Sequence, residues 1–128
     1  MEDLTIQGQK GTYLNPKVTF TASTGVCEIE GESYQEETFE FFTRLTTWLQ
    51  EYTQSGIKPL ILTFKLTYFN TASSRAILDM LRVVKNFEER GGKPVINWYY
   101  PAHDEGMRDE AEDFQNDTGL VINLFPID

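Results

Sequence analysis

Three hydroxyls, a carboxamide and a guanidinium fall within six residues at Asn70-Thr71-Ala72-Ser73-Ser74-Arg75, the stretch whose side chains and spacing best suit a chemical event. Before it, Leu60, Leu62, Phe64 and Leu66 recur every second residue, the period of one strand face. After it, Ile77, Leu78, Met80, Leu81, Val84 and Phe87 follow the three-and-four spacing of an amphipathic helix. Thr71 is therefore predicted at a strand-to-helix junction. The first turn of a helix leaves backbone N–H groups without intrahelical acceptors and carries the positive end of the macrodipole, so it favours an anion. Asn70 or Thr71 can supply the capping oxygen, Ser73 and Ser74 fall in the first turn, and Arg75 lies one turn beyond Thr71 on the same side. A phosphate ester on Thr71 is expected to meet amide donors and that guanidinium. The dipole contributes only about 0.3 to 1 kcal/mol, which permits an anion without requiring one. The same residues also read as an ordinary N-cap cluster.

A second stretch, Gly31-Glu32-Ser33-Tyr34-Gln35-Glu36-Glu37, has the Ser-x-x-Glu spacing of a capping box at Ser33 and Glu36, which predicts a helix from near Tyr34. Its apolar positions Phe39, Phe42, Leu45, Trp48, Leu49 and Tyr52 form a stripe expected to pack on a sheet, and Gly56 marks the end. Glu32, Glu36 and Glu37 suit the positive end of the helix dipole.

Taken together, Tyr-Phe-Asn-Thr-Ala-Ser-Ser-Arg at 68–75 and Gly-Glu-Ser-Tyr-Gln-Glu-Glu at 31–37 resemble the paired signature of the SiaC family of bacterial regulatory phosphoproteins. The typical family forms are Tyr-Phe-Asn-Thr-Ser-Ser-Ser-Lys and Gly-Glu-Ser-Tyr-Pro-Glu-Asn. The departures are Ala72, Arg75, Gln35 and Glu37, and none touches the threonine. The resemblance runs along nearly the full chain. It implies a STAS-like fold and a non-enzymatic phosphoprotein acting in biofilm and cyclic-di-GMP signalling. In members of that family a protein kinase phosphorylates the threonine matching Thr71, and a PP2C-type phosphatase reverses this. The unphosphorylated form binds and activates a diguanylate cyclase. Tyr68, Asn70, Ser73, Ser74 and Arg75 become switch-site neighbours, and Glu32, Ser33, Tyr34 and Glu36 become candidates for partner docking. Two alternatives share the scaffold: a STAS-type antagonist of an anti-sigma factor or another kinase, and a small-molecule binding module.

The elements needed to hold Thr71 at such a junction can be read in order. Leu4–Ile6, Lys17–Ala22 and Val26–Glu30 read as strands, with Ser23-Thr24-Gly25 as a turn and a breaker-rich loop from Gly8 to Pro16 onto which Tyr13 and Leu14 can pack. The first helix is followed by a strand over 59–66 and a helix over 72–90. A strand over 95–100 comes next, with bulk on both faces as in an interior strand. A helix opens at His103-Asp104-Glu105, with Met107, Ala111 and Phe114 as its apolar stripe, and Leu120–Phe125 is the last strand. The order β-β-β-α-β-α-β-α-β predicts one α/β domain over residues 1–128, a mixed sheet with right-handed crossovers and helices mainly on one face. Gly91-Gly92-Lys93 ends a helix instead of leading from a strand into one, so it is not a phosphate loop.

Composition sets the remaining limits. At 128 residues with 40% hydrophobic and 24% charged content, the chain can bury a sizeable core and is not of disordered type. A net charge of −9 argues against binding a nucleic-acid backbone. The acidic N-terminus and the lack of a long apolar run predict a cytoplasmic protein with no membrane insertion. Cys27, the single cysteine, alternates with glutamates on a strand and reads as a buried, inert thiol. His103 stands at a helix start without the ligand spacing of a metal site. No nucleophile elbow or paired carboxylates suggest catalysis, so no enzyme activity and no cofactor are expected.

Overall fold

A computed structural model describes residues 1–8, 15–33 and 38–128. Its strands are β1 (Leu4–Ile6), β2 (Lys17–Thr21), β3 (Val26–Ser33), β4 (Ile61–Phe69), β5 (Val95–Pro101) and β6 (Ile122–Ile127), with helices α1 (Thr38–Gln54), α2 (Thr71–Glu89) and α3 (Glu105–Thr118). They form a six-stranded sheet in sequence order. β1, β2 and β3 pair antiparallel, while β3, β4, β5 and β6 pair parallel. Each parallel connection contains a helix, as a parallel pair demands. The layout is the mixed α/β, STAS-like one expected, with β5 an interior strand.

Register turns the period-two pattern into layers. Phe20, Cys27, Leu62, Ile96 and Ile122 stand side by side across five strands, and Val18, Ile29, Phe64 and Trp98 make the next row. All are buried under the helices, where Phe42, Leu45, Leu49, Ile77, Leu81 and Val84 join them in one core. Trp98 stacks on Phe64 at 4.6 Å and is flanked by Phe69 and Phe114. The opposite face of the sheet is open and mixed, with Val26, Ile61 and Val95 in one row and Tyr99 stacked on Phe125. There Lys65 meets Glu28 at 3.5 Å, and Asn123 donates to Asn97, which donates to Thr63.

Gly25 has φ +76, and a Cβ there would run into the Pro59 carbonyl and the Tyr52 hydroxyl. Only glycine suits this approach of the β2–β3 turn to the start of β4, where Ile61 N–H donates to Gly25 O at 2.9 Å.

Several expectations need correction. β4 runs to Phe69, three residues beyond the legible alternation, because the register slips between Gly31 and Glu32 and leaves Thr67 as an extra residue. Such a bulge reverses which residues face inward. Tyr68 is 46% exposed, while Phe69 turns towards Trp98 and Phe114. Ser33 is the last residue of β3, paired with Phe69, so it is not the N-cap of α1. Tyr34, Gln35, Glu36 and Glu37, and with them the rest of the capping box and the start near Tyr34, lie outside the described residues. So do Tyr13 and Leu14 of the first loop. Phe39 is 82% exposed instead of packing in the core. At 100° per residue it stands well off the line through Phe42, Leu45 and Leu49, and Thr38 takes the inward place in that turn.

Candidate functional site

The junction between β4 and α2 is a single residue, Asn70. Its backbone is extended (φ −85, ψ 176), and its side-chain Oδ1 accepts the Ser73 N–H at 2.9 Å. Its carbonyl accepts the Ser74 N–H at 2.9 Å, the first bond of the helix ladder. Asn70 is thus the N-cap and Thr71 the first helical residue, which settles the choice between two capping side chains. The helix offers no acceptor to the amides of Thr71 and Ala72, which remain as donors at the positive end of the dipole.

The three hydroxyls of the segment part company. Thr71 is exposed, Ser74 is half-buried, and Ser73 is fully buried with its hydroxyl engaged by Ser33. A cavity of about 130 Å³ beside Thr71 is lined by Phe69, Asn70, Thr71, Ser74 and Glu110. Glu110 comes from α3, so the site joins two helices. Arg75 is exposed on α2 and is not among the cavity residues. A group added to Thr71 therefore stands near the amide N–H donors of the helix start, in a cavity that Glu110 also lines. A larger hollow of about 220 Å³ lies on the open sheet face between Lys17, Thr19, Thr21, Val26, Glu28 and Glu30. It holds none of the predicted site residues.

Of the docking candidates, Glu32 is exposed and paired in register with Tyr68, so the two flank the junction on neighbouring strands. Ser33 is fully buried and offers no surface to a partner. Tyr34 and Glu36 lie outside the described residues. Sequence reading missed two features of this region. Phe39 was assigned to the core, although its helical angle could have placed it outside. Glu110 carried no signal, because its approach to Thr71 depends on how α3 lies on the sheet.

The other candidate groups stay apart. Cys27 is fully buried, and burial pushes its thiol up to about 12, so it is the inert thiol expected. His103 is exposed in the turn before α3, whose N-cap is Asp104, accepting the Met107 N–H at 3.0 Å. Among the described residues no helix is long and apolar enough to cross a membrane.

The family model described as SiaC family regulatory phosphoprotein matches residues 8–127. The chain belongs to the SiaC family. A protein of Pseudomonas aeruginosa (strain UCBPP-PA14), named only as uncharacterized, is 32% identical over 125 residues, covering 97% of this chain and 96% of its own. The crystal structure of apo-SiaC from Pseudomonas aeruginosa superimposes with a TM-score of 0.89 at 26% identity, covering 98% of this chain and 99% of that one. SiaC from the same organism, in a crystal structure with the diguanylate cyclase SiaD that it activates, gives 0.89 at 27% identity over 98% of this chain and 100% of its own. The family is described as one of regulatory phosphoproteins.

Proposed function

We propose that this chain is a non-enzymatic switch, acting in the cytoplasm as one STAS-like domain over residues 1–128. Thr71 is its phosphate acceptor. A partner protein kinase phosphorylates Thr71, a PP2C-type phosphatase removes the group, and the unphosphorylated form binds and activates a diguanylate cyclase in biofilm control. The observation that carries the reading is the exposure of Thr71 at the first turn of α2, while Ser73 beside it is sealed. SiaC of Pseudomonas aeruginosa, so similar in fold, is itself the activator of a diguanylate cyclase.

The chemistry of the switch is electrostatic. Phosphorylation adds about −1.5 to −2 charge at the junction, beside Glu110 and within a chain of net charge −9. A partner surface that closes on neutral Thr71 must then desolvate a dianion or withdraw. Tyr68 and Glu32 on adjacent strands, with Arg75 one turn along α2, form the surface such a partner reads.

Incubation with the partner kinase and ATP, followed by peptide mass mapping, is expected to place one phosphate on Thr71 and none on a Thr71→Ala variant. Label persisting on that variant would move the site elsewhere. Thr71→Glu is expected to abolish cyclase stimulation, and a Thr71→Glu chain that stimulated as well as the wild type would overturn the mechanism.

A further inference from the structure

The stretches 31–37 and 68–75 meet through a buried pair of hydroxyls. Ser33 closes β3, Ser73 lies in the first turn of α2, both are 0% exposed, and their Oγ atoms are 2.7 Å apart. The Ser73 hydroxyl also reaches the Ser33 carbonyl at 3.4 Å, and either hydroxyl can donate in the short bond. The same carbonyl accepts the Asn70 N–H at 3.3 Å, and Asn70 Oδ1 accepts the Ser73 N–H. The contacts close a ring from Ser33 to Asn70, from Asn70 to Ser73, and from Ser73 back to Ser33. Thr71 and Ala72 are the residues between Asn70 and Ser73 in that ring, and both are exposed.

An apolar pair in this position would pack without burying polarity. What two hydroxyls add is direction, because a buried hydrogen bond fixes a distance and an angle where aliphatic contact fixes neither. The ring therefore sets how the first turn of α2 stands on the end of β3, and with it how the Thr71 hydroxyl is held out.

We propose that Ser33 and Ser73 are positioning residues for the phosphorylation of Thr71. They lock the turn in its presented form and withhold Ser73 itself from modification. This rests on the reading of Thr71 as acceptor. A chain whose presented form is only partly populated binds a kinase with an affinity reduced by that fraction, so the effect belongs in KM and not in kcat.

The test uses Ser33→Ala and Ser73→Ala beside Thr53→Ala as a stability control. Thr53 is also buried, with its hydroxyl bonded to the Leu49 carbonyl at 2.8 Å, but it lies in the last turn of α1. All are assayed well below their unfolding temperatures with the kinase that labels wild-type Thr71. Either serine variant is expected to raise KM several-fold at unchanged kcat, while Thr53→Ala leaves KM alone. Without kinase or ATP, hydrogen exchange at the Ser73 and Ser74 amides is expected to quicken about tenfold in the serine variants, the equivalent of one lost bond, with Leu81 and Val84 unchanged. Serine variants that match wild type or Thr53→Ala in both measurements overturn the proposal. A wild-type chain that takes no label at Thr71 overturns the acceptor reading instead, and the exchange measurement tells the two failures apart.

Discussion

Replacing Asn70 by alanine removes one side-chain oxygen and tests the geometry of the whole junction. That oxygen is the acceptor of the Ser73 N–H at 2.9 Å, and Ser73 is fully buried. Cap removal costs about 0.5 to 2 kcal/mol in general, and a donor that water reaches poorly belongs in the upper half, about 1 to 2 kcal/mol. For a domain of this length each kcal/mol lowers Tm by about 4 °C, so the fall should be about 4 to 8 °C. Asn70→Asp keeps an acceptor and adds a charge at the positive end of α2. The dipole favours it by about 0.3 to 1 kcal/mol, and Glu110 on the same cavity opposes it. Asn70→Asp should therefore stay within about 0.5 kcal/mol of wild type. Urea unfolding followed by far-UV circular dichroism gives both values, with an unchanged m-value showing that the native state is the same. An Asn70→Ala chain as stable as wild type would show that the Ser73 N–H has another acceptor and that Asn70 does not define the turn. Asn70→Asp as damaging as Asn70→Ala would show that Glu110 outweighs the dipole.

Three more outcomes follow from the core. Gly25→Ala combines a positive φ with a clash against the Pro59 carbonyl and should cost about 3 kcal/mol or more, read as a Tm fall of about 10 °C or more. Trp98→Phe should be nearly neutral in urea unfolding: the cavity costs about 1 kcal/mol, offset by removing a buried indole N–H that has no acceptor among the described residues, itself a cost of about 1 to 3 kcal/mol. Burial raises the Cys27 thiol from 9.0 to about 12, so the folded chain keeps its proton while the unfolded chain loses it. The stability from that thiol is complete below pH 9 and is lost as pH rises towards 12, by up to about 4 kcal/mol. Cys27→Ala should flatten that alkaline decline, leaving the smaller part due to Tyr52, whose phenol is also raised, first by burial and second by Cys27.

The fold was legible where one period held for a whole element. Leu62, Phe64 and Leu66 named the inward face of β4, with Leu60 buried just before it, and Ile77, Met80, Leu81, Val84 and Phe87 named that of α2, because each side chain answers to one sheet or one helix. Legibility failed where a third partner decided the outcome. The bulge at Thr67 is set by pairing with β3, so Phe69 turned inward against the apparent end of the strand. Ser33 fitted a capping box by spacing, yet β-pairing with Phe69 and the Ser73 hydroxyl claimed it first. Thr71 at the helix start was readable from local chemistry. Glu110 was not, since it lies on α3, and its place beside the same cavity depends on how that helix lies on the sheet.

That unread carboxylate bears on what kind of switch the proposed site makes. If Arg75 had lined the cavity, a phosphate on Thr71 would gain a charge-assisted partner and stabilise the turn, and the modification would act by ordering the protein's own structure. With Glu110 lining the cavity, a phosphate on Thr71 is favoured by the dipole and the amides of Thr71 and Ala72 and opposed by a like charge, and the two are expected to offset. A phosphate that neither tightens nor loosens its own domain exerts its effect on whatever docks against it. The expected result is a phosphorylated chain whose Tm lies within about 2 °C of the unmodified one, equivalent to about 0.5 kcal/mol, while its affinity for the cyclase falls by orders of magnitude. A large Tm shift in either direction, with cyclase affinity intact, would mean that the switch works through the fold and that Glu110 has been given the wrong part.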